Sequence, residues 1–261
     1  LQIADGLGIG KYTKCETLHE DPENKLLQSM YGTATDSYDF VDQMVIGDLE
    51  NFKNGLADKD LEQALKNLHD SSAEMVDFSR SDYWFSVDIA QIYPRQEIIA
   101  AHNNSFVKVY YVPRRHENLS LGEAQLHWNT CHGGIARQFS AILPFDKYIQ
   151  GHRLDSHVVW QLKSLLDAQF ENIDSIVGQA EAWLDRRLVP SLQGPEMETM
   201  VRMLLQDINL FVDPGVSHIF ATKEHVILNK QVITDPVPCL FTTDKVNDSD
   251  LNWRFDACRF T

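Results

Sequence analysis

The sequence predicts an α+β fold in which a βαββαβ unit occurs twice, and three observations carry that prediction. The chain has 261 residues, long enough for two ordinary domains. Shifting it by 136 residues aligns its two halves without a gap: Lys11, Tyr12 and Leu18 fall on Lys147, Tyr148 and Leu154, and Val41 and Gln43 on Val177 and Gln179. In the same register Leu56, Glu62 and Leu68 fall on Leu192, Glu198 and Leu204, while Val76-Asp77 and Ser81 fall on Val212-Asp213 and Ser217. Matches that recur in one register mark a duplication. The third observation is the order of elements in the second half.

There, Phe106 to Val112 is rich in β-branched and aromatic residues, stops at Pro113, and reads as a strand. Ser120 is an N-cap with Glu123 at the capping-box position, opening a helix predicted to run to about Phe139. A strand over 145 to 154 follows, and Ile173 to Trp183 alternates loosely as a third. Pro195-Glu196 opens a helix whose Met197, Met200, Val201, Leu204 and Leu205 recur at helical spacing as a buried stripe. After the Asp213-Pro214-Gly215 turn, Val216 to Leu228 is the last strand. The order is βαββαβ, the ferredoxin-like arrangement.

The first half shows only the later elements: strands over 9 to 18, near 40 to 46 and over 82 to 93, and a helix from Lys59 to Val76. Leu1 already aligns with Arg137, past the opening strand and helix. The tail offers replacements. Cys239 to Thr243 is strand-like and Asn247-Asp248-Ser249-Asp250 resembles a helix N-cap. Aligning Asn247 with Ser120 puts Phe255 on Trp128, Cys258 on Cys131 and Arg259 on His132. The expected organisation is therefore a first repeat over 1–98, completed by 239–261, a second repeat over 102–229, and an extension or permuted strand-helix over 230–261. A shortened first repeat followed by an unrelated extension stands as the alternative reading.

Composition narrows the function classes. With 43% hydrophobic, 10% aromatic and 23% charged residues the chain is globular rather than disordered or fibrous. Its 23 basic and 38 acidic residues give a net charge of −15, without a basic run, so nucleic acid and anionic membrane are excluded as expected partners. No apolar stretch reaches the ~20 residues of a membrane span. The 4 cysteines, Cys15, Cys131, Cys239 and Cys258, are scattered without a CxxC, so reduced thiols and a cytoplasmic location are expected.

Residues 106 to 228 resemble the EthD family of dimeric α+β barrels. The resemblance is carried by Leu119 to Ala124, Trp128 and His132, then Tyr148-Ile149-Gln150-Gly151-His152, then Glu224-His225-Val226. The family follows its helical Trp and His with Ala-Pro; here Gly133-Gly134 stands instead. The resemblance implies a barrel made by two ferredoxin-like repeats fused in one chain, a pocket between sheet and helices, and tailoring or degradation of small apolar molecules. An oxygenase-type oxidoreductase, or a non-catalytic protein that binds a ligand or serves assembly, including as a homodimer, are the alternatives such barrels offer.

The residues themselves suggest acid–base chemistry. Alternation along 145 to 154 sets Tyr148, Gln150 and His152 on one strand face, and Trp128 and His132, four apart, share a helix face. His132 and His152 are the expected acid and base with Tyr148, while Gln150, Trp128, Trp160, Trp183 and Phe211 are expected to line the site. The same residue types also serve as helix caps and core groups. Eight of the 10 His lie at or beyond His102, yet His127/His132 and His152/His157 are each five apart and no motif places an acidic ligand, so no metal and no cofactor is expected. His152 or His225 alone would be a weak haem ligand signal. Glu224 and His225 must lie on opposite strand faces.

Overall fold

A computed structural model describes residues 2–32, 37–93, 97–155, 173–191, 194–230 and 237–238. Strands β1 (Ile9–Thr17), β2 (Phe40–Ile46), β3 (Ser86–Ile92), β4 (Phe106–Val112), β5 (Phe145–Arg153), β6 (Gly178–Asp185), β7 (His218–Asn229) and β8 (Val237–Pro238) form one sheet in the order β2-β1-β7-β4-β6-β5-β3-β8. Strands β1 to β7 pair antiparallel and curl into a half-barrel, while β8 runs parallel to β3. Helices α1 (Gln2–Gly6), α2 (Pro22–Tyr31), α3 (Leu49–Leu56) and α4 (Lys59–Ser72) belong to the first half, and α5 (Leu121–His127), α6 (Gly133–Gln138) and α7 (Pro195–Ile208) to the second. No described helix is long and apolar enough to cross a membrane.

The second half follows the predicted order, β4-helix-β5-β6-α7-β7, with its strands arranged β7-β4-β6-β5. Two boundaries differ from expectation. Residues Ile173–Ser175 form a 3-10 turn and β6 starts only at Gly178. At that start the strands approach closely: Gly178 has φ +153°, and a Cβ there would lie 1.9 Å from the carbonyl oxygen of Gly151, so a side chain is not accommodated without a shift. The helix predicted from Ser120 to Phe139 is broken by a π turn over Trp128–His132.

The 136-residue offset reappears in the element boundaries. Strands β1 and β5 start at Ile9 and Phe145 and end at Thr17 and Arg153, and helices α4 and α7 start at Lys59 and Pro195 and end at Ser72 and Ile208. The pairing between halves is reciprocal: β7 pairs with β1, and β3 with β5. The tail over 239–261 lies outside the described residues, as does Trp160.

The sheet has two unlike faces. The face covered by α5, α6 and α7 is apolar: Val107, Val109, Tyr111, Ala180, Ala182, Ile219 and Ala221 pack with Trp128, Ala136, Ile208 and Phe211 in one buried cluster. Burying the valine, isoleucine and phenylalanine side chains of this cluster contributes about 1.5–3 kcal/mol each, which fixes the helices on that face. The other face carries Lys108, Tyr110, Gln179, Glu181, Trp183 and Glu224, all buried.

Candidate active site

The helix-covered face holds most of the expected site residues. Ser120 Oγ accepts a hydrogen bond from the Glu123 N–H at 3.2 Å and Glu123 Oε2 accepts one from the Ser120 N–H at 2.8 Å, forming the predicted capping box that fixes the start of α5. At Trp128 the helix widens into the π turn, a local insertion that commonly marks functional positions. Trp128 and His132 are both buried within it. The helix resumes at Gly133, where a Cβ would come within 2.6 Å of Gln91 Oε1 on β3. Glycine here lets the helix approach the Gln91 side chain closely.

Tyr148, Gln150, His152 and Trp128 are brought together as one hydrogen-bonded group. The Gln150 amide donates to the Tyr148 hydroxyl oxygen at 3.0 Å and to the Trp128 carbonyl at 3.2 Å. Its Oε1 accepts from Gln91 Nε2 at 3.1 Å and lies 3.1 Å from His152 Nε2, which must be the protonated nitrogen because an amide oxygen only accepts. The His152 ring stacks on the Trp128 indole, centroids 4.9 Å apart. Burial lowers the His152 pKa to about 3 and pushes the Tyr148 hydroxyl well above its ordinary range. The imidazole is therefore neutral and the phenol protonated at neutral pH.

His132 belongs to a second group. Its Nδ1 lies 3.0 Å from Asp207 Oδ2, and the other oxygen of the same carboxylate lies 3.0 Å from His127 Nε2. Burial alone would raise the Asp207 carboxyl, but the two imidazoles outweigh it and hold it below the usual carboxylate range. An ionised carboxylate accepts only, so Nδ1 of His132 is the donor and Nε2 is left as the basic nitrogen, the orientation of a histidine general base. Phe211, 1% exposed, packs against both rings at 5.0 Å from His127 and 5.9 Å from His132. No hydrogen bond among the described residues joins His132 to His152; Trp128, whose indole stacks on His152, lies in the same π turn as His132.

Trp183 lies elsewhere. Tyr148 pairs with Ala182 and Lys147 with Trp183 across β5 and β6, so Trp183 is on the opposite sheet face from Tyr148. Its indole N–H donates to Glu224 Oε2 at 2.8 Å. A groove of about 470 Å³ runs between the end of α6 and the start of α7, lined by Gln138, Phe139, Ile142, Pro195 and Thr199, and contains neither His132 nor His152.

Sequence reasoning missed two sets of residues. Asp207 sits near the end of α7 beside the predicted apolar stripe; an acid interrupting that end of the helix was its only signal. The other set fills the half-barrel interior. Lys108 Nζ lies 2.7 Å from Glu181 Oε2 and 3.4 Å from Glu224 Oε1, donates to Gln43 Oε1 at 2.8 Å, and sits 4.6 Å from the ring centres of both Tyr110 and Trp183. Burial alone would lower the Lys108 pKa, but Cys15, Glu181 and Glu224 around it outweigh that and raise it. Nearby, burial, reinforced by Glu181, raises the Asp88 carboxyl to about 7, and burial together with the Lys108 charge lowers the Lys147 ammonium. The Lys108 ammonium has a partner on every side, which fits a structural core better than a reacting group. Its sequence signal was a lone charge in the apolar run Phe106 to Val112.

The Glu224 and His225 prediction holds: Glu224 faces Lys108, and His225 lies on the other side, 3.2 Å from Glu16. Glu16, which the 136-residue offset places on His152, contacts His225 and His102. Cys15 is a buried free thiol, raised by burial, and Cys131 an exposed one.

No family model matches the chain, and no curated protein does. Among solved structures the chain is similar to one described as an anthrone oxidase-like protein, with 11% identity and a TM-score of 0.45 over 85% of this chain and 95% of that one. Such a likeness fixes neither substrate nor reaction.

Proposed function

We propose that the chain is an enzyme performing acid–base chemistry, such as isomerisation or dehydration, on a small apolar or aromatic molecule, without a tightly bound cofactor, at the helix-covered face of a duplicated α+β barrel of EthD type. The reciprocal β7–β1 and β3–β5 pairing and the shared 136-residue offset support the duplication. The observation that carries the chemistry is the Asp207 carboxylate on Nδ1 of His132. In this reading His132 Nε2 removes a proton from the substrate, and the imidazolium that forms is stabilised by Asp207. Tyr148, whose oxygen accepts from Gln150, keeps its own proton for a hydrogen bond to the oxygen on which negative charge develops. Neutral His152 and the Trp128 ring shape the apolar wall, and Phe211 holds the imidazoles in place.

The test is a substrate screen against small polar-substituted aromatics, followed by Asp207→Asn and His132→Gln variants. A base oriented by a carboxylate loses about 10³–10⁴ in kcat when the carboxylate becomes an amide, because the wrong tautomer is then favoured. Turnover that survives both substitutions within a few-fold would remove His132 as the base.

A further inference from the structure

Strands β1 and β7 pair with Lys14 opposite His225 and Glu16 opposite Lys223, so Glu16 and His225 share one sheet face on adjacent strands. His102 joins them from the segment between β3 and β4. Glu16 Oε2 lies 3.2 Å from His225 Nε2 and 3.7 Å from His102 Nε2, and one donor atom from each of the three residues lies within 4.8 Å of the others. The two imidazoles face each other with centroids 4.5 Å apart. We propose that Glu16, His102 and His225 form a binding site for a divalent transition-metal ion, and that Zn²⁺ is the ion they fit best.

Two features favour this over a simple carboxylate–histidine contact. The first is metric. Ligands about 2.0–2.1 Å from a tetrahedral Zn²⁺ are separated by ~3.3 Å, and His₂Glu with a water in the fourth position is a recognised zinc set. The two donor separations of 3.2 and 3.7 Å bracket that edge, so an ion enters with small side-chain adjustments. The second is that the segment carrying His102 is fixed by the residues beside His225. Glu224 accepts the Ala100 N–H at 2.6 Å and gives its own N–H to the Ala100 carbonyl at 2.8 Å, while Lys223 Nζ donates to the carbonyls of Ala101 at 3.0 Å and Asn104 at 2.9 Å. His102 is therefore held over β7 by contacts that do not involve the imidazoles, and the ion meets ligands already in place. All three side chains are about half exposed, which leaves the fourth position to solvent. The site is separate from the His132–Asp207 pair, and a bound ion would tie the 97–105 segment to the β1–β7 junction between the halves of the chain.

The experiment uses the full chain with Cys131, Cys239 and Cys258 replaced by Ser, so that thiols other than the buried Cys15 do not compete. Zn²⁺ binding is followed by calorimetry, and Co²⁺ binding by its visible absorption, which reports a four-coordinate site. One ion per chain is expected, with binding weakened at least ~10-fold by each of Glu16→Gln, His102→Ala and His225→Ala, because loss of a ligand costs at least as much as loss of a group that merely orients one. Zn²⁺ should also raise the melting temperature of the parent protein and not that of the His102→Ala/His225→Ala double variant. Absence of one-to-one binding, or binding that all three variants retain, overturns the proposal. Since the substituted positions are surface residues, circular dichroism of each variant separates loss of the site from loss of the fold.

Discussion

Removing Lys108 is the sharpest test of how the half-barrel interior is held together. Lys108 is 0% exposed, and Glu181 and Glu224, at 1% and 8%, depend on its charge at 2.7 and 3.4 Å. Lys108→Met keeps the aliphatic volume and leaves two carboxylates buried without their cation, an arrangement that costs about 3–5 kcal/mol. With a urea dependence of about 2–3 kcal/mol per molar, that moves the unfolding midpoint down by about 1–2.5 M. The loss should depend on pH. Burial alone would raise the Glu224 carboxyl, but Lys108, the Ala100 N–H and the Trp183 N–H together hold it below the usual range. In the parent its contribution is therefore present above the unfolded carboxylate pKa and lost as pH falls through the folded one. In the variant that contribution is gone, so parent and variant converge in acid. Lys108→Met combined with Glu181→Gln and Glu224→Gln should recover most of the stability, because no buried charge is left unpaired. Urea denaturation of the three proteins at neutral and acid pH decides it. A loss under about 1 kcal/mol for Lys108→Met alone would refute the reasoning, since a solvated lysine costs that little to remove.

Two further predictions follow from particular positions. Because burial lowers His152 from 6.5 to about 3, the unfolded chain takes up a proton below about pH 6.5 that the folded chain refuses; stability should fall by up to ~1.4 kcal/mol per pH unit from there toward 3, and His152→Gln should flatten that slope. An imidazole NMR signal for His152 that titrates near 6.5 in the folded protein would contradict this. Gly178→Ala forces a Cβ to within 1.9 Å of the Gly151 oxygen at φ +153° and should lower stability by roughly 2–5 kcal/mol through overpacking and backbone strain. Gly122→Ala, with nothing within 4 Å in α5, should instead raise it by roughly 0.5–1 kcal/mol. Melting curves that fail to separate these two glycines would show the β5–β6 crossing to be looser than described.

The amino-acid sequence by itself determined the strands and, in the second half, the order of elements, but not the helices α1, α2 and α3 of the first half. Residue type and spacing act over a few positions, so the capping box at Ser120 and Glu123 and the strand from Phe106 to Val112 were legible directly, whereas of the stripe expected on α7 only Met200 is buried and Met197, Val201, Leu204 and Leu205 stay partly exposed. The alternation that set Tyr148, Gln150 and His152 on one face, and Glu224 and His225 on opposite faces, was equally local and reappears in the sheet. What the sequence left open depends on groups far apart in the chain. Asp207 meets His127 and His132 only because α7 packs on the π turn. Trp183 was expected to line the site with Tyr148, but its strand parity relative to β5 is set by the β5–β6 register, which pairs it with Lys147. Lys108 finds its carboxylates on β6 and β7, and Glu16 its imidazoles on β7 and in the 97–105 segment. Ligand spacing along the chain predicted no metal set because the three donors come from three separate segments. Side-chain chemistry is written residue by residue, whereas which groups share a few ångströms is decided by strand register and helix packing.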